Sequence, residues 1–138
     1  MLYTRAGDDG KTRLFGTKKR ISKSSCDIEA LGALDELNSY LGICYALLNE
    51  SSAPQKLRLA KIGAYVFHEV LFELLNHLFV IQAEIAGANK TLTKEHVAFL
   101  EKITNGIEKI IPPIRSFTLP GATVLSAHMD SARSIARR

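Results

Sequence analysis

The sequence has no tryptophan, two cysteines and four prolines in 138 residues, and no long apolar run. Cys26 and Cys44 are too few for a disulfide framework. With a polar, basic N-terminus in place of a secretory signal, a reducing cytoplasm is the expected compartment. The most apolar stretch, residues 63–88, is broken by His68, Glu69, Glu73, His77 and Glu84. A membrane span needs about 20 nearly continuous apolar residues, so a buried helix is expected there and no membrane association. No Walker phosphate loop is present. Cys26 and Cys44 have no metal-ligand spacing. Glu73 and His77 stand four apart, not the three of carboxylate-bridged di-iron bundles. The four histidines therefore read as structural or surface residues, and no direct side-chain metal site is expected.

What is present is a globular composition, 46% hydrophobic and 23% charged, of a length that suits one domain over residues 1–138. Its net charge of +4 is unevenly placed. Residues 1–25 hold seven Lys or Arg against two Asp, a balance of +5. Arg133, Arg137 and Arg138 add +3 at the other end, and the stretch between is acidic at −4. If the fold brings the two ends together they form an anion site; the other reading is two solvated basic ends.

Residues 1–25 read as a glycine-containing arm. Leu31, Leu34, Leu37, Leu41, Cys44 and Leu48 then share one face of a helix from Ile28 to Leu48 that Ser25 or Asp27 can cap. Ile28, Ile43 and Leu47 lie off that stripe, which favours a helix packed on several sides, as in an oligomer. A polar linker, residues 50–54, precedes a long helical stretch from Gln55 to Ala86. A third helix, capped by Thr93, carries Val97, Leu100, Ile103, Ile107 and Ile110 and stops at Pro112-Pro113. An extended piece, Arg115 to Leu119, leads through a Pro120-Gly121 turn into a last helix from Thr123. No alternating run demands a sheet. The expected class is all-α, an antiparallel helix bundle with an N-terminal arm.

Three groups of residues could carry chemistry. Thr4, Arg5, Gly7, Asp8, Asp9, Gly10, Lys11, Thr12 and Arg13, followed by Lys18, Lys19, Arg20 and Lys23, combine glycines with hydroxyls and cations. Such a loop lets a backbone approach phosphates, and its aspartates could position magnesium through water. A plain turn is the other reading. Arg133 and Arg137 lie one helical turn apart with Arg138 adjacent, which suits a polyphosphate or simply a basic helix end. Asp35 lies mid-helix beside the leucine stripe, where a carboxylate usually needs a partner.

Three segments in this order resemble the PduO-type ATP:cob(I)alamin adenosyltransferases. They are Tyr3 to Gly16 (YTRAGDDGKTRLFG), Glu29 to Ser39 (EALGALDELNS), and Phe117 to Gly121 (FTLPG) with Ala132 to Arg138 (ARSIARR). The resemblance implies a five-helix bundle that assembles as a homotrimer with active sites between subunits. The substrates implied are ATP, with Mg2+, and cobalamin. It casts Thr4, Arg5, Gly7, Asp8, Gly10, Thr12, Arg13 and Lys23 as ATP contacts of the arm, and Arg137 and Arg138 as triphosphate contacts from the helix. Asp35 and Arg133 match a pair that meets across the subunit interface. Phe117 matches the aromatic residue that packs under the corrin ring.

The sequence also departs from the family pattern. Ala6 stands where Thr is common, Ala122 replaces a glycine, Asp130 stands where His is usual, and the loop before Lys23 is one residue longer. The family continues past the position of Arg138 into a further long helix, so an incomplete chain is expected, with an apolar groove where that helix would lie. Two other functions compete. One is a bundle of this family that binds cobalamin or ATP without catalysis. The other, a basic helical nucleic-acid module, is disfavoured by the acidic middle and the lack of a helix-turn-helix pattern.

Overall fold

The computed structural model describes residues 3–50 and 55–138. The arm is a short antiparallel hairpin, β1 (Lys11–Arg13) against β2 (Arg20–Ser22). It runs directly into α1 (Cys26–Asn49), the longest helix. A four-residue helix α2 (Gln55–Arg58), a tight pair β3 (Lys61–Ile62) and β4 (Tyr65–Val66), and α3 (Phe67–Ile85) follow. The chain ends with α4 (Lys94–Glu108) and α5 (Val124–Ala136). The architecture is the expected all-α bundle.

Its centre is α1, with α3 and α5 packed along it. Leu41, Cys44 and Leu48 of α1 meet Leu71 and Leu78 of α3 and Ala132 of α5 in one buried cluster. Both neighbours run antiparallel to α1. The Gln82 amide of α3 reaches the Leu34 carbonyl at 3.4 Å, while Tyr45 stacks obliquely on Phe72. Arg138, just past α5, bonds Glu36 at 2.8 Å, while His128 sits beside Tyr40. The start of α1, the end of α3 and the end of α5 therefore share one end of the bundle. The arm docks there, its Phe15 N–H donating to the Ala86 carbonyl at 2.8 Å.

The expected unbroken helix from Gln55 to Ala86 is a correction. The chain leaves α2 at Leu59, makes the β3–β4 pair and re-enters a helix only at Phe67. Gly63 takes a left-handed φ of 61°, which closes the turn, and Ile62, Tyr65 and Val66 favour extended backbone. The pair is held by a second cluster, Ile62 with Val70 and Ile103, which also fixes α4. Gly106 makes that approach possible: a Cβ there would lie 2.9 Å from the Ile62 methyl. Two short strand pairs, of three and two residues per strand, accompany the helices and leave the all-α class intact. Residues 51–54 of the expected linker lie outside the described residues.

Other boundaries match the sequence pattern. Thr93 stands at the N-cap of α4, donating its N–H to His96 Nδ1 at 3.0 Å. Thr123 and Ser126 cap α5 reciprocally. Ser25 is the N-cap of α1, although its hydroxyl makes no capping bond. Among the described residues, no helix is long and apolar enough to cross a membrane.

Candidate functional site

The arm builds a cavity of about 440 Å3. Thr4, Ala6, Gly7 and Thr12 supply its small and hydroxylic walls, and Lys11, Arg13, Lys18 and Arg20 the rest. Every charged residue on the wall is cationic. In both strands the middle residue, Thr12 or Ile21, is half-buried while its neighbours are exposed. The register sets Arg13 directly opposite Arg20. Like charges in that position repel, and an anion between them relieves the repulsion.

The turn ahead of β1 is unusual in its backbone. Arg5 takes a left-handed φ of 57° and Gly10 one of 76°. Arg5 is not a glycine, so its conformation is sparsely populated and needs support from its surroundings. The Arg20 guanidinium braces the residues that follow Arg5. Its Nη2 donates to Asp9 Oδ1 at 2.6 Å, to the Lys11 carbonyl at 3.1 Å, and to the Ala6 carbonyl. Desolvation pushes the Asp9 carboxyl up; the Lys11 N–H and the Arg20 charge outweigh it and hold the group below its ordinary value.

Of the arm residues expected to meet ATP, Thr4, Gly7, Thr12 and Arg13 line the cavity, and Arg5, Asp8, Gly10 and Lys23 do not. Lys23 nonetheless braces it. Its N–H donates to the Gly10 carbonyl at 2.9 Å. Its ammonium lies against Gly7, where a Cβ would sit 3.2 Å from Nζ. Arg20, which the sequence shows only as part of a basic run, is the residue that sequence reasoning undervalued. Cross-strand register brings it to the cavity, and no local motif announces it.

The remaining candidates lie on the helices. Arg137 is the exposed C-cap of α5, and Arg138 is anchored to Glu36. Both stand at the end of the bundle where the arm docks. Asp35 is exposed in the single chain. Arg133 bonds Asp130 at 2.9 Å within its own helix, so the chain by itself does not join Asp35 to Arg133. Phe117 is fully exposed on the connection between α4 and α5. An apolar groove of about 400 Å3, walled by leucines of α1 and α3 with Met129 and Ala136 of α5, has Arg133 on its wall. Among the described residues, no cluster of three or more His, Cys, Asp or Glu could hold a metal ion.

Comparison with known proteins converges on one family. A family model described as cobalamin adenosyltransferase matches residues 2–138. A corrinoid adenosyltransferase of Citrobacter freundii is 34% identical over 99% of this chain and 73% of its own. The corrinoid adenosyltransferase PduO of the same organism is also 34% identical, and this chain spans 38% of its length. A variant PduO-type ATP:corrinoid adenosyltransferase from Lactobacillus reuteri, solved with cobalamin and ATP, superposes with a TM-score of 0.80 at 27% identity. That match covers 100% of this chain and 73% of the other.

Proposed function

The chain belongs to the cobalamin adenosyltransferase family, and from that premise we infer that it transfers the 5′-deoxyadenosyl group of ATP to cob(I)alamin, releasing triphosphate. The observation in this chain that carries the reading is the all-cationic cavity of the arm, on the same end of the bundle as Arg137 and Arg138. Cobalt(I) is a strong nucleophile that attacks the ribose 5′ carbon directly, so no protein nucleophile or general base is required. The protein must align two reactants and stabilise charge on the departing triphosphate. Arg13, Lys18 and Lys23 suit the phosphates from the arm, and Arg137 and Arg138 from the helix. Thr4, Gly7 and Thr12 add hydroxyls and close backbone approach.

Magnesium fits as a companion of the phosphates and not as a caged ion. Asp9 is taken by Arg20, which leaves the Asp8 carboxylate, without a side-chain partner among the described residues, to meet a metal-bound water. The exposed ring of Phe117 suits a wedge beneath the corrin. Asp35 and Arg133 suit a pair between subunits, and exposed Ile43, Phe72 and Phe79 on α1 and α3 suit burial in a homotrimer. The chain then acts as a single domain, residues 1–138 with an ATP-binding arm over residues 1–25, in the cytoplasm. Purified chain, ATP, magnesium and chemically reduced cobalamin should yield adenosylcobalamin and triphosphate, followed by absorbance and phosphate analysis. Binding of both substrates with no product would overturn this reading in favour of a non-catalytic carrier.

A further inference from the structure

We propose that Arg20 is a positioning residue of the ATP site: it ties the turn over residues 6–11 into the one shape that presents its backbone and Arg13 to the triphosphate. The inference rests on the ATP reading above and adds a residue to it. The turn is entered through left-handed Arg5 and contains left-handed Gly10, and its own hydrogen bonds are long: Asp8 N–H to the Arg5 carbonyl at 3.3 Å and Gly10 N–H to the Gly7 carbonyl at 3.2 Å. Such a turn does not hold itself. Arg20 reaches from β2 across to both ends of it, the Ala6 and Lys11 carbonyls, and to Asp9 at 2.6 Å near its middle. All of these bonds use Nη2, so among the described residues Nε and Nη1 keep their N–H groups unspent, and the side chain is still on the cavity wall.

The reach of the guanidinium is needed for this: a lysine ammonium ends one bond nearer the backbone and holds its water more tightly. Lysine would keep the charge and lose the tie. Asp9 is the second half of the device. Its carboxylate holds the Arg20 head over the turn, and without it the long side chain is free to swing away.

The test uses the whole chain as wild type, Arg20→Ala, Arg20→Lys and Asp9→Asn. ATP titrations, steady-state kinetics and amide hydrogen exchange without ATP are measured on each. Arg20→Ala and Arg20→Lys should each weaken ATP binding by about tenfold or more. The KM for ATP should rise in parallel, with kcat at saturating ATP within about twofold of wild type. Amides in residues 8–11 should exchange faster while those of α1 and α3 do not change. Asp9→Asn should move every readout in the same direction by less. Restored affinity in Arg20→Lys would reduce the residue to a bulk charge and overturn the proposal. So would unchanged exchange of residues 8–11. If the helices of an Arg20 variant also exchange faster, that variant is misfolded and Asp9→Asn decides: normal exchange and affinity there overturn the proposal. A wild-type chain that does not bind ATP removes the functional reading and this one with it; a wild type that binds, with variants that bind equally well, removes this one alone.

Discussion

The arm and the helical body are held together by different forces. The body is closed by apolar burial: Leu48, Leu71 and Cys44 are sealed from solvent in the contact of α1 with α3 and α5. Among its described residues the arm has none buried. It is closed by hydrogen bonds and charge, through Arg20, Asp9 and Lys23. Apolar contacts are many and cooperative, whereas exposed polar ties contribute little each to global stability. The difference teaches a division of labour: the body sets stability and the arm sets ligand affinity, so each should be breakable without the other.

The largest expected effect breaks the body. Leu71 is 1% exposed at the centre of the cluster. Leu71→Ala should cost about 2–5 kcal/mol of unfolding free energy, measured by denaturant melts at fixed protein concentration. Folded molecules of that variant should still bind ATP with near-normal affinity. A stability loss accompanied by an equal loss in ATP affinity would contradict the division.

The next effect breaks the arm. Lys23→Ala and Arg137→Ala should each weaken ATP binding by about 1–3 kcal/mol in calorimetric titration, with unfolding midpoints little changed. Lys23 is the sharper of the two, because its ammonium also packs against Gly7. Unchanged titrations in both would show that arm and last helix are not two walls of one phosphate site.

A third experiment asks what the single chain leaves open. Arg133 bonds Asp130 three residues back, while Asp35 stands exposed. If Asp35 and Arg133 meet between subunits in the assembled enzyme, a double-mutant cycle of Asp35→Asn and Arg133→Ala on corrinoid turnover should show coupling of about 0.5–3 kcal/mol. Strict additivity would leave Arg133 with Asp130.

These regions were not equally legible in the sequence. The leucine stripe of α1, the Thr93 cap and the Pro112-Pro113 stop place their helices to within a few residues, because each signal is local. The break before α3 was hidden. Ile62, Tyr65 and Val66 continue an apolar pattern that helix spacing also accommodates, and Gly63 alone marks the turn. The arm's glycines and cations pointed to an anion site, and Thr4, Gly7, Thr12 and Arg13 line a cavity in the arm. Arg20 was indistinguishable from Lys18 and Lys19 until strand register set it opposite Arg13. Asp35 stands beside the leucine stripe on a helical wheel, and the single chain leaves it exposed. A wheel does not show how far the covering helices extend, and α3 and α5 leave that edge open.

The smallest effect lies where the body is closed by neither means alone. Helix α4 meets α3 through rings: His77 stands edge-to-face with His96 at 4.6 Å and with Phe99 at 5.2 Å. The His77 Nδ1 is buried without a hydrogen-bond partner among the described residues. Desolvation first, and then the nearness of His96, hold the His77 pKa below its ordinary 6.5, while Glu73 one turn back pulls the other way. A histidine that resists protonation when folded takes up its proton more readily when unfolded. Stability should therefore be level above about pH 7 and fall as the pH drops below about 6.5, towards the lowered folded value. The depressed carboxyls act in a lower window. Asp9, and Glu84, whose carboxylate accepts from the Thr91 hydroxyl at 2.7 Å and the Leu92 N–H at 3.1 Å, contribute above their ordinary values of 3.8 and 4.5 and lose that contribution only as the pH falls through the lowered ones. Melts at pH 7.5 and about pH 5.5 thus isolate His77. His77→Gln should flatten the loss between those two pH values, and hydrogen exchange should show it concentrated in α4. A loss that persists unchanged in His77→Gln, or one centred on the arm, would place the titrating group elsewhere.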